Sequence, residues 1–203
     1  VCPSSSAEIG ANLSVRLADE RFSHYVLDSD YRFEVSGYAN AVPGQAVDTW
    51  TLESVEPYSK CYGIDPEEFS AYLGKPDSAI FVAWWQDQPV GHVVVSSHWN
   101  GLAYVDELAV DARVRRAGVG RALLEVVRFW ALRKHLPGVM LETQNNNLAA
   151  CRLYEREGYQ LGGVDRLRYR GIDPLTREVA LFWYLLFDQA QAQAPMPPAT
   201  IVP

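Results

Sequence analysis

The chain has 203 residues, 48% of them hydrophobic and 21% charged, with a formal net charge of −7; that is enough apolar material for one core, and the acidic balance argues against a nucleic-acid partner. No stretch approaches the roughly 18 apolar residues of a membrane helix, the N-terminal VCPSSSAEIG has neither the basic nor the apolar region of a secretory signal, and Cys2, Cys61 and Cys151 fall at no metal-ligand or disulfide-framework spacing. The expectation is a cytoplasmic protein with one domain over residues 1–187, its core within 47–187, no metal, and a patternless tail over 188–203 that reads as disordered.

In chain order, the pattern is weak from Leu13 to about Asp65, where Val47 to Val55 alternates loosely and is expected to open the core sheet. Asp65 and Pro66 suit the start of a short helix, which Gly74 ends. Ala79–Trp85 is an apolar run of strand length, Gln86 to Pro89 a turn, and Val90–Ser97 a valine-rich strand. Asn100-Gly101 marks another tight turn, and Leu102–Val110 completes an antiparallel meander. The period then becomes helical: Val119, Ala122, Leu123, Val126, Val127 and Trp130 share one face of a helix running to about His135. Val139–Thr143 is a short strand, and Asn147 to Glu157 a second helix stopped by Gly158. Tyr159–Tyr169 and Glu178–Phe187 are two final strands. This order predicts a mixed α/β domain around one sheet.

Between the third meander strand and the first long helix lies Arg115-Arg116-Ala117-Gly118-Val119-Gly120-Arg121-Ala122. A helix N-terminus presents unpaired N–H groups and a partial positive charge. Glycines let an anion approach the backbone, and three arginines add forked donors. The segment reads as a pyrophosphate cradle. It lacks the Gly-Lys-Ser/Thr of a P-loop and the third glycine and parallel unit of a dinucleotide site. Charge supports the division of labour. Residues 1–110 carry 16 acids against 5 Lys/Arg, a balance of −11, and residues 111–203 carry 9 against 13, a balance of +4. One half is suited to an anion and the other to a cation, although acids that only keep the surface soluble would give the same count.

The cradle resembles the acetyl-CoA signature of the GNAT superfamily, Gln/Arg-x-x-Gly-x-Gly/Ala, met by Arg115, Gly118 and Gly120. Asp106-Glu107-Leu108-Ala109-Val110-Asp111 is similar to that family's central strand, and Leu141 to Asn147 followed by Ala150, Tyr154, Gly158 and Tyr159 to its second motif. Together these cover residues 79–187. The phrases LETQNNNLAACRLYEREGYQLGGVD and EVALFWYLLF, with Trp99-Asn100, resemble streptothricin acetyltransferases. The resemblance implies a central, mostly antiparallel twisted sheet flanked by helices and acetyl-CoA as co-substrate. Arg115 to Ala122, together with Leu108, Ala109, Val110, Asn147, Ala150 and Tyr154, would hold it. The implied acceptor is a small cationic amine, the β-lysine moiety of streptothricin, and a homodimer is left open. Rival readings are a protein lysine or N-terminal acetyltransferase and a non-catalytic acyl-CoA-binding module.

The chemistry needs a group to take the acceptor's proton, since an alkylammonium titrates near ~10.4. Glu142 is the first choice, with a structural carboxylate paired to a neighbouring Arg as the alternative. Glu107 and Asp106 follow, as base or amine-binding groups; strict strand alternation would send only one of them to a given face. The family motif makes Tyr154 the proton donor to the departing thiolate and Asn147 a partner of the pantetheine or thioester region. Trp99, like Trp84 and Trp85, is a candidate wall for a cationic ligand, or ordinary packing. Cys151 reads as core rather than nucleophile. His24, His92, His98 and His135 are dispersed, with His98 alone near the expected acceptor side.

Overall fold

The computed structural model describes residues 12–63 and 65–188; the N-terminal segment with Cys2 and the tail expected to be disordered after Asp188 lie outside the described residues. Among the described residues nine strands and three α-helices follow one another: β1 (Leu13–Leu17), α1 (Phe22–Tyr25), β2 (Phe33–Asn40), β3 (Thr51–Lys60), β4 (Ser78–Trp85), β5 (Gln88–Ser97), β6 (Ala103–Val110), α2 (Val119–Arg133), β7 (Gly138–Gln144), α3 (Leu148–Arg156), β8 (Gln160–Asp165) and β9 (Ala180–Leu186). The architecture is mixed α/β, a large and mostly antiparallel sheet with helices packed on it. Among the described residues no helix is long and apolar enough to cross a membrane.

The chain groups into two compact units. Among the described residues the first comprises 12–32, 62–63, 65–139 and 187–188. Its strands run antiparallel in the order β1-β4-β5-β6. One face of this sheet carries Ile80, Val82 and Val94, packed with Phe22 and Val26 and with Phe69 from a short 3-10 turn. On the other face α2 packs through Val119, Leu123, Leu124, Val126, Val127 and Ala131; of the face read from the sequence, Val119, Leu123, Val126 and Val127 are buried and Ala122 and Trp130 are half-buried. Gly91 sets how closely they meet: a Cβ there would lie 2.7 Å from the Ala109 carbonyl oxygen and 3.3 Å from Val119. Only a residue without a side chain lets the first turn of α2 settle against β5 and β6.

The second unit comprises Phe33–Cys61 and Met140–Leu186. It holds the antiparallel pair β2–β3, most of β7, α3, and the antiparallel pair β8–β9. Trp183 is its buried centre, with Trp50 and Tyr154 at ring distances of 6.1 and 6.0 Å. Asn145 is buried and bonds on both sides as a strand residue would. Its carbonyl accepts from the Ala39 N–H (3.0 Å) and its N–H donates to the Val179 carbonyl (3.1 Å). Its side chain repeats the pattern, donating to the Ala39 carbonyl (3.0 Å) and accepting from the Val179 N–H (2.9 Å).

Three expectations differ from the structure. Val47 to Val55 does not open the core sheet: Val47–Thr49 is a 3-10 turn, and β3 starts at Thr51 and pairs only with β2. Nearly all of β3 is exposed, which explains its faint alternation, and Pro57 is tolerated because only one side of the strand is paired. The helix expected from Asp65 is a 3-10 turn, Glu68–Ala71, whose N-cap is Glu67 and not Asp65; the Asp65 carboxylate instead accepts from the Glu67 N–H at 3.0 Å, ahead of the turn. β8 ends at Asp165 rather than Tyr169, since the Asp165 carboxylate accepts from the N–H groups of Leu167 and Arg168 and turns the chain.

The entry to the Arg115–Ala122 segment is anchored by Asp111, whose carboxylate is fully buried. It accepts from the Arg113 N–H (2.8 Å) and from the Arg113 guanidinium at 2.5–3.0 Å. Burial pushes this carboxyl up, but the Arg113 hydrogen bonds outweigh it and hold it below the usual carboxylate range. A depressed folded value contributes stability above the unfolded value of ~3.9 and loses it as pH falls toward the folded one. Asp111→Asn should therefore destabilise by about 1.5–3 kcal/mol in urea unfolding at pH 7, and the deficit should shrink below about pH 4. Asn145→Ala should destabilise by about 1–3 kcal/mol. In hydrogen exchange it should expose the Val179 amide while the Ala39 amide, bonded to backbone, stays protected.

Candidate active site

In the first unit, α2 begins without the usual devices. Its N-cap is Gly118, with no side-chain cap and no acid in the first turn. Gly118 lies at φ +88° and Arg116 at φ +67°. Two left-handed residues so close together bend the backbone around the helix start, and at Arg116 the conformation is strained. A Cβ on Gly118 would meet nothing within 4 Å, so the glycine serves its dihedral and leaves open space above it. Arg115, Arg116 and Arg121 are exposed around this opening, while Ala117 and Val119 are buried beneath it. The Arg115 guanidinium also donates to the Val110 carbonyl at 3.2–3.3 Å, tying the cradle to the end of β6. First-turn N–H groups have no partner within their own helix. With three guanidinium groups nearby, the donor set fits a pyrophosphate.

β6 carries the two adjacent acids, and here alternation fails. Val94 pairs with Glu107, but Val95 pairs with Val105. Asp106 is therefore the extra residue of a bulge, which reverses the facing on one side of it. Asp106 and Glu107 consequently lie on the same face, the one carrying His92, Val94 and Ser96. Glu107 Oε1 lies 2.6 Å from His92 Nε2. Asp106 accepts from Ser96 Oγ at 2.7 Å and from the Tyr72 hydroxyl at 3.3 Å. The strip of Asp106 still touches solvent, yet the crowding around its carboxyl raises it above the usual carboxylate range, with the Ser96 and Tyr72 hydrogen bonds opposing. The expectation that only one of these acids could serve a given face is thus overturned by the bulge.

Trp99 projects from the tip of the β5–β6 turn, 90% exposed, its ring 5.6 Å from that of His98. His98 in turn lies 5.1 Å from Tyr104. Trp84 packs against Tyr25 at the rim of the apolar cluster.

In the second unit, Glu142 on β7 is engaged at both oxygens. Tyr169 donates its hydroxyl to Oε1 at 2.5 Å, and Arg168 pairs with Oε2 at 2.7 Å. This is the ion-paired alternative. Asn147 caps α3, accepting from the Ala150 N–H at 3.2 Å. Its oxygen is used by the helix, and its amide nitrogen remains as the donor for any ligand. Tyr154 lies on α3 and is buried, and burial pushes its phenol up, so it keeps its proton at neutral pH. Cys151 on the same helix is buried, its thiol pushed up to about 12 by burial. No group of three or more His, Cys, Asp or Glu side chains gathers as a metal site among the described residues.

Sequence reasoning passed over His92, Ser96, Tyr72, Arg168 and Tyr169. For His92 and Ser96 a signal existed: the Asn100-Gly101 turn brings β5 back along β6, so even-numbered β5 residues face the acids. The other three come from segments without a periodic pattern.

Residues 21–159 match the profile described as Acetyltransferase (GNAT) family. The chain is 38% identical over 144 residues to a streptothricin acetyltransferase of Escherichia coli, covering 71% of this chain and 79% of that protein. It is 33% identical over 153 residues to streptothricin acetyltransferase A of Bacillus subtilis (strain 168), covering 74% and 87%. A Bacillus anthracis str. Ames protein assigned as a streptothricin acetyltransferase, solved in complex with acetyl coenzyme A, superposes with a TM-score of 0.75 at 35% identity, over 86% of this chain and 99% of that one. The cradle that opens α2, the paired acids of β6 and these likenesses agree: the chain belongs to the acetyltransferase (GNAT) family.

Proposed function

We propose that this acetyltransferase moves the acetyl group of acetyl-CoA onto an amine of a small cationic acceptor, and that the acceptor is streptothricin, modified at its β-lysine moiety. The observation that carries this reading is the β6 bulge, which turns two adjacent carboxylates toward one face. An acceptor with more than one positive charge needs one group to hold it and another to take a proton. The names of the relatives support the acceptor, and so does the acidic balance of residues 1–110.

Arg115 to Ala122 would bind the pyrophosphate through first-turn N–H groups and guanidinium forks. Leu108, Ala109 and Val110 would offer backbone to the pantetheine arm, with Asn147 and Ala150 as further contacts. When bound, acetyl-CoA supplies an acetyl group already activated as a thioester. Glu107 is the proposed base, taking the proton that the acceptor ammonium must lose before its nitrogen can attack. Asp106 holds the acceptor's charge, with Trp99 as an exposed aromatic surface for it. Tyr154 keeps its phenolic proton and is the proposed donor to the departing thiolate. Glu142, held by Arg168 and Tyr169, is a weaker candidate for the base because its negative charge is already compensated.

Thiol release from acetyl-CoA should be fast with streptothricin and slow with polyamines, free lysine and a lysine peptide, with the mass gain on the β-lysine. Release with the peptide alone would reject the small-molecule acceptor, and tight acetyl-CoA binding without release would reject catalysis. Glu107→Gln should lower kcat by about 10²–10⁴-fold with acetyl-CoA affinity retained. Glu142→Gln should lose much less; the reverse order would return the base to Glu142. Gly118→Ala, forced to φ +88°, should weaken acetyl-CoA binding by about tenfold, from about 1–2 kcal/mol of backbone strain, without changing the acceptor KM.

A further inference from the structure

We infer that His92 is a positioning residue for Glu107: its imidazole donates from Nε2 and pins Glu107 Oε1 so that the other oxygen stays turned to the acceptor. The inference rests on the reading of Glu107 as the base.

His92 is 1% exposed, whereas the Glu107 side chain is 35% exposed. The contact between them, 2.6 Å from Nε2 to Oε1, is short for a nitrogen–oxygen hydrogen bond. The rest of the imidazole is boxed by rings. Phe22, Tyr31 and Phe69 meet it edge to face, with centroids 5.2, 5.3 and 5.7 Å away. Nδ1 is buried in this box with no hydrogen-bond partner. A proton on Nδ1 would therefore have no acceptor, and a buried donor without one is strongly disfavoured. The donating nitrogen is Nε2, bonded to Glu107.

This excludes a relay, which must pass a proton from one ring nitrogen to a further group from the other, since Nδ1 leads nowhere. What remains is orientation. The bulge leaves Glu107 on a strand whose regular pairing is interrupted, and His92, rigid in its aromatic box, restores a fixed direction to the carboxylate. Of the groups facing the ring, α1 supplies Phe22 and the 3-10 turn supplies Phe69, neither titratable. The titratable neighbours are Glu107 on β6 and the Tyr31 phenol, with Asp106 and Tyr72 one step further.

The test compares His92→Phe, which fills the box without a donor, with His92→Gln, which restores an N–H. With streptothricin as acceptor, His92→Phe should lower kcat by about 10²-fold, the scale of a misplaced reacting group. Its acetyl-CoA KM should be unchanged, and His92→Gln should recover most of the loss. Nitrogen-15 NMR of the imidazoles in the wild-type protein decides the tautomer without any variant that might misfold. The expected result is a proton on Nε2 bonded to Glu107. Nε2 without a proton, or wild-type kcat in His92→Phe, overturns the inference. Loss in Glu107→Gln but not in His92→Phe removes His92 alone, whereas a wild-type rate in Glu107→Gln removes the base assignment and the inference together.

Discussion

The candidate site depends on one extra residue in a strand. A regular β6 would point Asp106 and Glu107 to opposite faces, one of them toward the side where α2 packs. The bulge at Asp106 breaks this alternation, so both acids share the face that carries His92 and Ser96. Two carboxylates side by side repel each other, and each has hydrogen-bond partners that make the arrangement tolerable: an imidazole for one, two hydroxyl groups for the other. The bulge also interrupts regular pairing just where β6 runs on toward the cradle, so functional geometry is set by backbone irregularity supported by side chains.

The cradle uses a different device for the same end. Arg116 and Gly118 take left-handed dihedrals that place the start of α2, and the arrangement is held from three sides. Asp111 anchors the entering turn through Arg113, Arg115 reaches back to the Val110 carbonyl, and Gly91 lets Val119 settle on the sheet. The charged groups that meet solvent are thereby fixed by buried ones that do not. In the second unit Asn145 has a comparable task, joining backbone segments that would otherwise leave polar groups unpaired.

Several residues with recognisable motif positions have structural partners that bear on their chemistry. Asn147 is a helix cap as well as a candidate ligand contact. Glu142 is charge-compensated by Arg168 and bonded by Tyr169. Motif spacing reports that a residue type is required at a position, and the requirement can be packing, capping or chemistry. Hydrogen-bond partners separate these cases, which is why Glu107, with one oxygen held by His92 and its side chain part exposed, is the better candidate for proton transfer.

By itself the sequence determined the meander, the two long helices, the cradle and the family resemblance, because each is written in local terms: apolar period, turn residues, cap residues, and a glycine-arginine run in contiguous order. It left the region before residue 65 obscure, because β3 is exposed and its pattern carries little burial signal. Only tertiary structure decided which carboxylates share a face. The bulge is a matter of register between β5 and β6, and three partners of the acids, Tyr72, Arg168 and Tyr169, lie 26 to 34 positions away in segments outside the strands and α-helices. Pairing at that range depends on how the backbone closes, and no local pattern encodes it.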